Sequence, residues 1–361
     1  MPLRPKPEVE KLETCPHGGP DYAELERLGF SPDDVLDFSV SANPFGPPPG
    51  IEEALKSAVI DRYPDSDSTK FRRILAKNLD IDPENIIVGN GSMELIRMVA
   101  SAYLGKDDSA LIIEPTFGEY EVACRIAGAK IIKYQMREED GFSLKVNDLA
   151  DSIQRNRPKA VFLCNPNNPT GQYLDRGTIE QILSTCDDTL LILDEAYISF
   201  TENPWRSLDL VDHHNLIVFR SMTKDYALAG LRLGYAVASL EIVNTLKKVC
   251  PPWNVNAVAQ LAGIIASKDT VYLQHSQEDI RKARDFLGEG LAKLGLNSLP
   301  TQTHFFLIKV GNATRFRGEL LRYGIMVRDC GSFGLPEYIR IATRSLPECE
   351  RLIEAIKKSR E

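Results

Sequence analysis

Along the chain, short runs of apolar residues alternate with stretches in which apolar positions recur every three or four residues. The runs at 86–88, 110–114, 130–134, 160–164, 190–194, 216–219 and 234–238 predict strands. Between them, helical periodicity is read at 51–59, 68–79, 91–104, 120–127, 146–155 and 178–185. Strands that are apolar throughout, separated by helices, predict an α/β fold whose mostly parallel, seven-stranded-type sheet is covered on both faces. After Pro251-Pro252-Trp253 the pattern changes. A long helical region at 271–294 precedes a strand at 304–310, a helix at 313–323, short strands at 325–327 and 338–342, and a last helix from about 348. This tail reads as a smaller α+β domain. The expected division is an N-terminal arm at 1–45, a large domain at 46–255 and a small one at 256–361. The arm is dense in proline and glycine and is expected to be loop, apart from a short strand near Leu36 and Phe38.

Composition narrows the function classes. With 51 acids against 43 bases and no basic block, a nucleic-acid partner is not expected. No apolar run approaches a membrane span, so no membrane association and a cytoplasmic location are expected. The seven cysteines form no CxxC pair, and neither a disulfide framework nor a metal site is expected.

The chemistry concentrates at strand ends. Directly after one apolar run comes Ser221-Met222-Thr223-Lys224, with Arg232 eight positions after the lysine. A lysine beside an arginine has a lowered pKa and suits the trapping of a carbonyl, while two hydroxyls and a guanidinium suit a phosphate. Taken alone, the stretch fits a surface loop equally well. A second junction, Gly89-Asn90-Gly91-Ser92-Met93-Glu94, has the form of a nucleotide turn, but Glu94 stands where a third glycine is needed. A single phosphate on the amides of Gly91, Ser92 and Met93 remains possible, as does an ordinary helix cap at Ser92. Two more strand ends carry Asn165-Pro166-Asn167-Asn168-Pro169-Thr170-Gly171 and Asp194-Glu195-Ala196-Tyr197. A carboxylate at the end of an apolar strand needs a partner, and a pyridinium nitrogen suits Asp194, as does a following helix start.

These motifs, in this order, resemble the fold-type I pyridoxal-phosphate aminotransferase superfamily. The resemblance implies pyridoxal 5'-phosphate as cofactor, carried by Lys224, with Asp194 on its ring nitrogen and Asn168 and Tyr197 at its ring hydroxyl. Ser221, Thr223, Arg232, Gly91 and Ser92 would hold its phosphate, and Phe117 would stack on its ring. Arg340 would grip a substrate carboxylate, and Tyr63, of Arg62-Tyr63-Pro64, would reach the phosphate of a second copy, implying a homodimer. Within the superfamily, the histidinol-phosphate aminotransferases share Arg-Tyr-Pro, Asp-Glu-Ala-Tyr and Ala-Leu-Ala-Gly-Leu-Arg. The L-threonine-O-3-phosphate decarboxylases are similar at more places: His17-Gly18-Gly19, Asp37-Phe38-Ser39 with Asn43-Pro44, 251–257 and 328–336. The expectation is therefore decarboxylation of threonine phosphate, in cobalamin side-chain synthesis, with histidinol-phosphate amino transfer to 2-oxoglutarate as the alternative. A β-eliminating lyase or a cofactor-binding regulator fits less well, since no basic helix-turn-helix precedes Asp37. Both leading substrates, a small phosphorylated amino acid or amino alcohol, bear a phosphate ester. Arg328, His17 and Tyr63 are the candidates to bind it, and Asn43 belongs to the loop expected at the substrate. Two residues depart from both families: Ser41, where asparagine is usual, and Asp225, which is expected to retune the neighbouring lysine.

Overall fold

The computed structural model describes residues 3–360. Its strands are β1 (Leu36–Asp37), β2 (Ile86–Gly89), β3 (Ser109–Glu114), β4 (Lys130–Gln135), β5 (Ala160–Cys164), β6 (Leu190–Asp194), β7 (Leu216–Ser221), β8 (Gly234–Ala238), β9 (Phe305–Lys309), β10 (Ile325–Met326), β11 (Arg328–Asp329) and β12 (Tyr338–Ala342). Seven of them form one sheet in the order β2-β8-β7-β6-β5-β3-β4. The pairs from β4 through to β7 are parallel, and β8 alone runs against both of its neighbours.

The apolar runs are continuous because both faces of this sheet are covered. Every residue of β5, β6 and β8 is buried. Alternate side chains serve opposite layers, as the two-residue period of a strand requires. Val161, Leu163, Leu191, Leu193 and Val218 pack with Ile179 and Ile182 on one face. Phe162, Ile192, Ile217 and Phe219 pack with Val99, Tyr120 and Ile242 on the other. Each fully buried side chain of this kind contributes about 1.5–3 kcal/mol of transfer free energy. The result fixes the carboxyl ends of β2, β3, β5, β6 and β7 along one edge, which is where open α/β sheets bind ligands.

Beyond this sheet, β11-β12-β9 form an antiparallel sheet covered by the helices Thr270–Lys293 and Leu346–Lys358. Several boundaries differ from the sequence reading. The helix from Ile51 stops at Leu55, where three-residue bonds tighten the chain and the Ser57 hydroxyl donates to the Ala54 carbonyl at 2.7 Å. Two helices, Leu240–Val249 and Ala257–Ala266, had no counterpart in that reading.

The arm is also more ordered than its composition suggests. Tyr22–Leu28 is a helix capped by Asp21, which accepts from the amides of Ala23 and Glu24 at 3.0 and 3.1 Å. Gly29, at φ +77°, ends it. Leu25 then packs with Leu321 and Met326, β1 pairs in parallel with β10, and Phe38 enters the core of Leu287, Ile308 and Ile339. Among the described residues, no helix is long and apolar enough to cross a membrane.

Candidate active site

The strand ends, the arm and the antiparallel sheet enclose a cavity of about 290 Å³. It is lined by Met93, Phe117, Asn168, Tyr197, Lys224 and Arg232 on the side of the large sheet, and by Cys15, His17, Ser41, Arg328, Phe333 and Arg340 opposite.

Lys224 lies in the single helical turn Met222–Asp225 that follows β7. Its amine is pulled down to about 8 by burial, then by Arg340 and Arg232, with Asp194 opposing. Asn43 holds this turn from behind: its amide nitrogen donates to the Lys224 carbonyl at 2.7 Å and its side-chain Nδ2 to the Asp225 carbonyl at 2.9 Å. The structure thus puts Asn43 on the backbone of the lysine turn and outside the cavity lining. Asp225 also differs from expectation. Its carboxylate turns to the Ser199 hydroxyl at 3.0 Å and the Tyr226 amide at 2.9 Å, and Asp194 is the acid acting on Lys224.

Asp194 ends β6 and is buried. It accepts from the Tyr120 hydroxyl at 2.7 Å and the Ala196 amide at 3.0 Å. Both donors are neutral, and burial raises the carboxyl above its usual range. A cation on the cavity side completes such a group. Its neighbour Glu195 points the other way, to Arg220 at 2.6 Å and Ser207 at 2.8 Å.

Groups suited to a phosphate gather beside the lysine. The Ser221 and Thr223 hydroxyls are 2.7 Å apart. Arg232, at φ +58°, lays its Nη2 so close to Gly91 that a Cβ there would come within 2.8 Å of it. Gly91 itself sits at φ +73°, and a Cβ on Gly234 would come within 2.8 Å of the Ser92 amide. The two glycines therefore let the helix start and the guanidinium share one small space. Glu94, which spoiled the nucleotide fingerprint, folds back to accept from the Asn90 amide at 2.8 Å and from Asn254 at 2.6 Å.

On the opposite wall, Arg340 donates to Asn168 and to the Ser39 carbonyl at 2.7 Å, leaving a buried Nε with no partner. Arg328 donates to the carbonyls of His17 and Pro16 and to the Ser332 hydroxyl, the last two at 2.7 and 2.6 Å. His17 meets Glu119 at 3.0 Å, and the Ser41 hydroxyl is buried and without a partner. Tyr63 lies apart, 74% exposed and stacked on Trp253 at 4.2 Å. Sequence reasoning gave no role to Tyr120, Ser39 or Glu119. Ser39 entered only as part of the motif Asp37-Phe38-Ser39, and Tyr120 left a trace as a polar aromatic within the predicted helix that follows Phe117.

The family model of class I and II aminotransferases matches residues 33–356. The chain belongs to this aminotransferase family. A histidinol-phosphate aminotransferase of Moorella thermoacetica is 35% identical over 350 residues, covering 94% of this chain and 89% of that one. A solved L-threonine-O-3-phosphate decarboxylase of Porphyromonas gingivalis is 30% identical with a TM-score of 0.79, covering 89% of this chain and 98% of that one. The histidinol-phosphate aminotransferase of Sinorhizobium meliloti, solved with pyridoxal 5'-phosphate, has a TM-score of 0.89 over 99% of this chain and 97% of that one, at 24% identity, a likeness of fold. As an aminotransferase-family enzyme the chain uses pyridoxal 5'-phosphate. The residues present fit that group: a buried acid lacking a cation, a lysine with a depressed pKa, and clustered hydroxyls, amide and guanidinium for the phosphate.

Proposed function

We propose that the chain transfers the amino group of histidinol phosphate to 2-oxoglutarate. The observation that carries this reading is the match, over nearly the full chain, to histidinol-phosphate aminotransferases at 32–36% identity. It reverses the order of preference drawn from the motifs of the arm and from 251–257 and 328–336, which favoured decarboxylation.

When bound, pyridoxal 5'-phosphate supplies an electron sink next to the amino carbon of the substrate. Lys224 Nζ, pulled down to about 8, would take the proton from that carbon and redeliver it. Asp194 would keep the ring nitrogen cationic, and Tyr120 and the Ala196 amide fix its carboxylate. Asn168 and Tyr197 would hold the ring oxygen, Phe117 would pack against the ring, and Ser221, Thr223, Arg232 and the Gly91 and Ser92 amides would hold the phosphate. Arg340 grips the carboxylate of glutamate with a two-pronged fork, and Arg328 beside His17 meets the phosphate ester.

Incubation with histidinol phosphate and 2-oxoglutarate is expected to yield glutamate. Release of CO2 and aminopropanol phosphate from threonine phosphate, with no glutamate in the first assay, would overturn the reading. The decarboxylase remains a second reading because three of the four segments that resemble it, those with His17, Ser39 and Arg328, meet at the cavity, while 251–257 lies outside its lining. The Gly19 amide donates to the Ser39 hydroxyl at 2.9 Å, which donates to Asp37 at 2.6 Å.

We also infer a homodimer. Tyr63 and Trp253 form an exposed aromatic stack, and Ile60, three residues before Tyr63 in the chain, is 82% exposed. Light scattering that returned a monomer mass would sink this inference.

A further inference from the structure

At the mouth of the cavity, Cys15, His17 and Glu119 bring a thiol sulfur, an imidazole nitrogen and a carboxylate oxygen within 4.8 Å of one another. His17 Nε2 and Glu119 Oε1 are 3.0 Å apart. The sulfur lies against the backbone of Gly118, where a Cβ would come within 2.7 Å of it, so glycine at this position is what admits the thiol. The remaining oxygen of Glu119, Oε2, accepts from Arg97 at 3.0 Å. That bond fixes the carboxylate as supporting partners fix metal ligands elsewhere, and leaves Oε1 facing the other two donors.

Sulfur, imidazole and a single carboxylate oxygen form a zinc-type donor set, and the thiol selects against magnesium and calcium. We propose that Cys15, His17 and Glu119 bind one Zn2+ ion, with water in the fourth position. The thiol proton leaves to solvent as the metal–sulfur bond forms. Sequence spacing gave no hint of this site, because its carboxylate comes from the helix Glu119–Ile126 and its other two ligands from the arm.

The position gives the ion a consequence. Two ligands bracket Pro16 and the third belongs to the layer beside the large sheet, so the ion staples the arm to the body. The carbonyls of Pro16 and His17 already occupy Arg328. A stapled arm holds Arg328 on those carbonyls and His17 on the metal, and neither can turn to a substrate phosphate. Zinc therefore inhibits turnover. That inhibition rests on the reading of the site given above, whereas metal binding does not.

The test uses the cofactor-loaded protein, freed of excess cofactor, dialysed against Zn2+ alone. One ion per chain is expected, with affinity at least about tenfold weaker in Cys15→Ser and in Glu119→Gln and unchanged in Cys250→Ser, the other partly exposed thiol. Cd2+ as a probe reports directly through its ultraviolet thiolate band, which Cys15→Ser removes whether or not Glu119→Gln folds. Absence of stoichiometric binding, or equal affinity in wild type and Cys15→Ser, overturns the site. Zinc inhibition that persists undiminished in Cys15→Ser overturns the staple.

Discussion

The two walls of the cavity handle polar groups in opposite ways. On the side of the large sheet, charged groups that are buried or half-buried sit beside neutral partners. Asp194 meets a hydroxyl and an amide, Asp225 a hydroxyl and an amide, and Lys224 has no hydrogen-bond or ion-pair partner among the described residues. On the side built by the arm and the antiparallel sheet, Arg328 and Arg340 already spend their donors on main-chain carbonyls and polar side chains. The first wall is poised for a ligand that brings the missing charges. The second must exchange partners before it can grip an anion, so it is suited to substrates that come and go. The proposed amino transfer, with a tightly held cofactor and two alternating substrates, calls for this division of labour.

The largest effect should follow removal of the amine. Lys224→Ala is expected to lower turnover by about 10⁴-fold or more, since on the proposed reading it removes both the cofactor anchor and the proton carrier. Capture of cofactor by the unloaded wild-type chain should accelerate as pH rises through about 8, where the amine loses its proton. Stopped-flow absorbance measures this: the rate should level off above about 8, and a rate that still climbs about tenfold per pH unit up to pH 10 would mean that the lysine is not depressed by its surroundings.

A smaller effect is expected at the exchanging wall. Arg340→Lys keeps the charge but not the planar fork, and loses one of two charge-assisted bonds, each worth about 1.5–3 kcal/mol. KM for 2-oxoglutarate should rise roughly 10- to 100-fold while the absorbance of bound cofactor stays unchanged. Loss of cofactor together with the KM change would show that the walls are not independent.

The contrast between the walls also explains what could be read from the sequence. The cofactor side was legible to the residue at β5 and β6, because strands buried on both faces appear as uninterrupted apolar runs and their polar ends stand out against them. The arm side was not. Its helix Tyr22–Leu28 buries only Leu25, so it leaves almost no apolar stripe. In the core of the large sheet, Ala257–Ala266 was missed for the opposite reason: it is apolar nearly all round and hides its period. The pairing of β1 with β10 joins distant parts of the chain and leaves no local signal. Nor does adjacency give direction. Asp225 follows Lys224 in a helical turn, where successive side chains diverge by about 100°, so the acid beside the lysine in sequence faces away from it in space.

Asp225 offers the finest test of the cofactor wall, with the least effect on turnover. Burial raises its carboxyl from 3.8 to about 7. Below pH 3.8 the group is protonated in both folded and unfolded chains and contributes nothing to the difference between them. As pH rises from there to about 7, the unfolded chain gives up the proton while the folded chain keeps it, and stability falls; above about 7 the loss is complete. Asn at this position has no such slope and preserves both contacts, accepting from the Tyr226 amide through Oδ1 and offering Nδ2 to the Ser199 hydroxyl. The stability of Asp225→Asn relative to wild type should therefore climb through this window by at most about 4 kcal/mol and then level off. Denaturant unfolding at intervals from pH 4 to pH 8 measures the difference. A difference that stays flat would mean that the acid is ionised in the folded chain throughout, and that this wall does not hold its carboxylates among neutral partners at the cost of their charge.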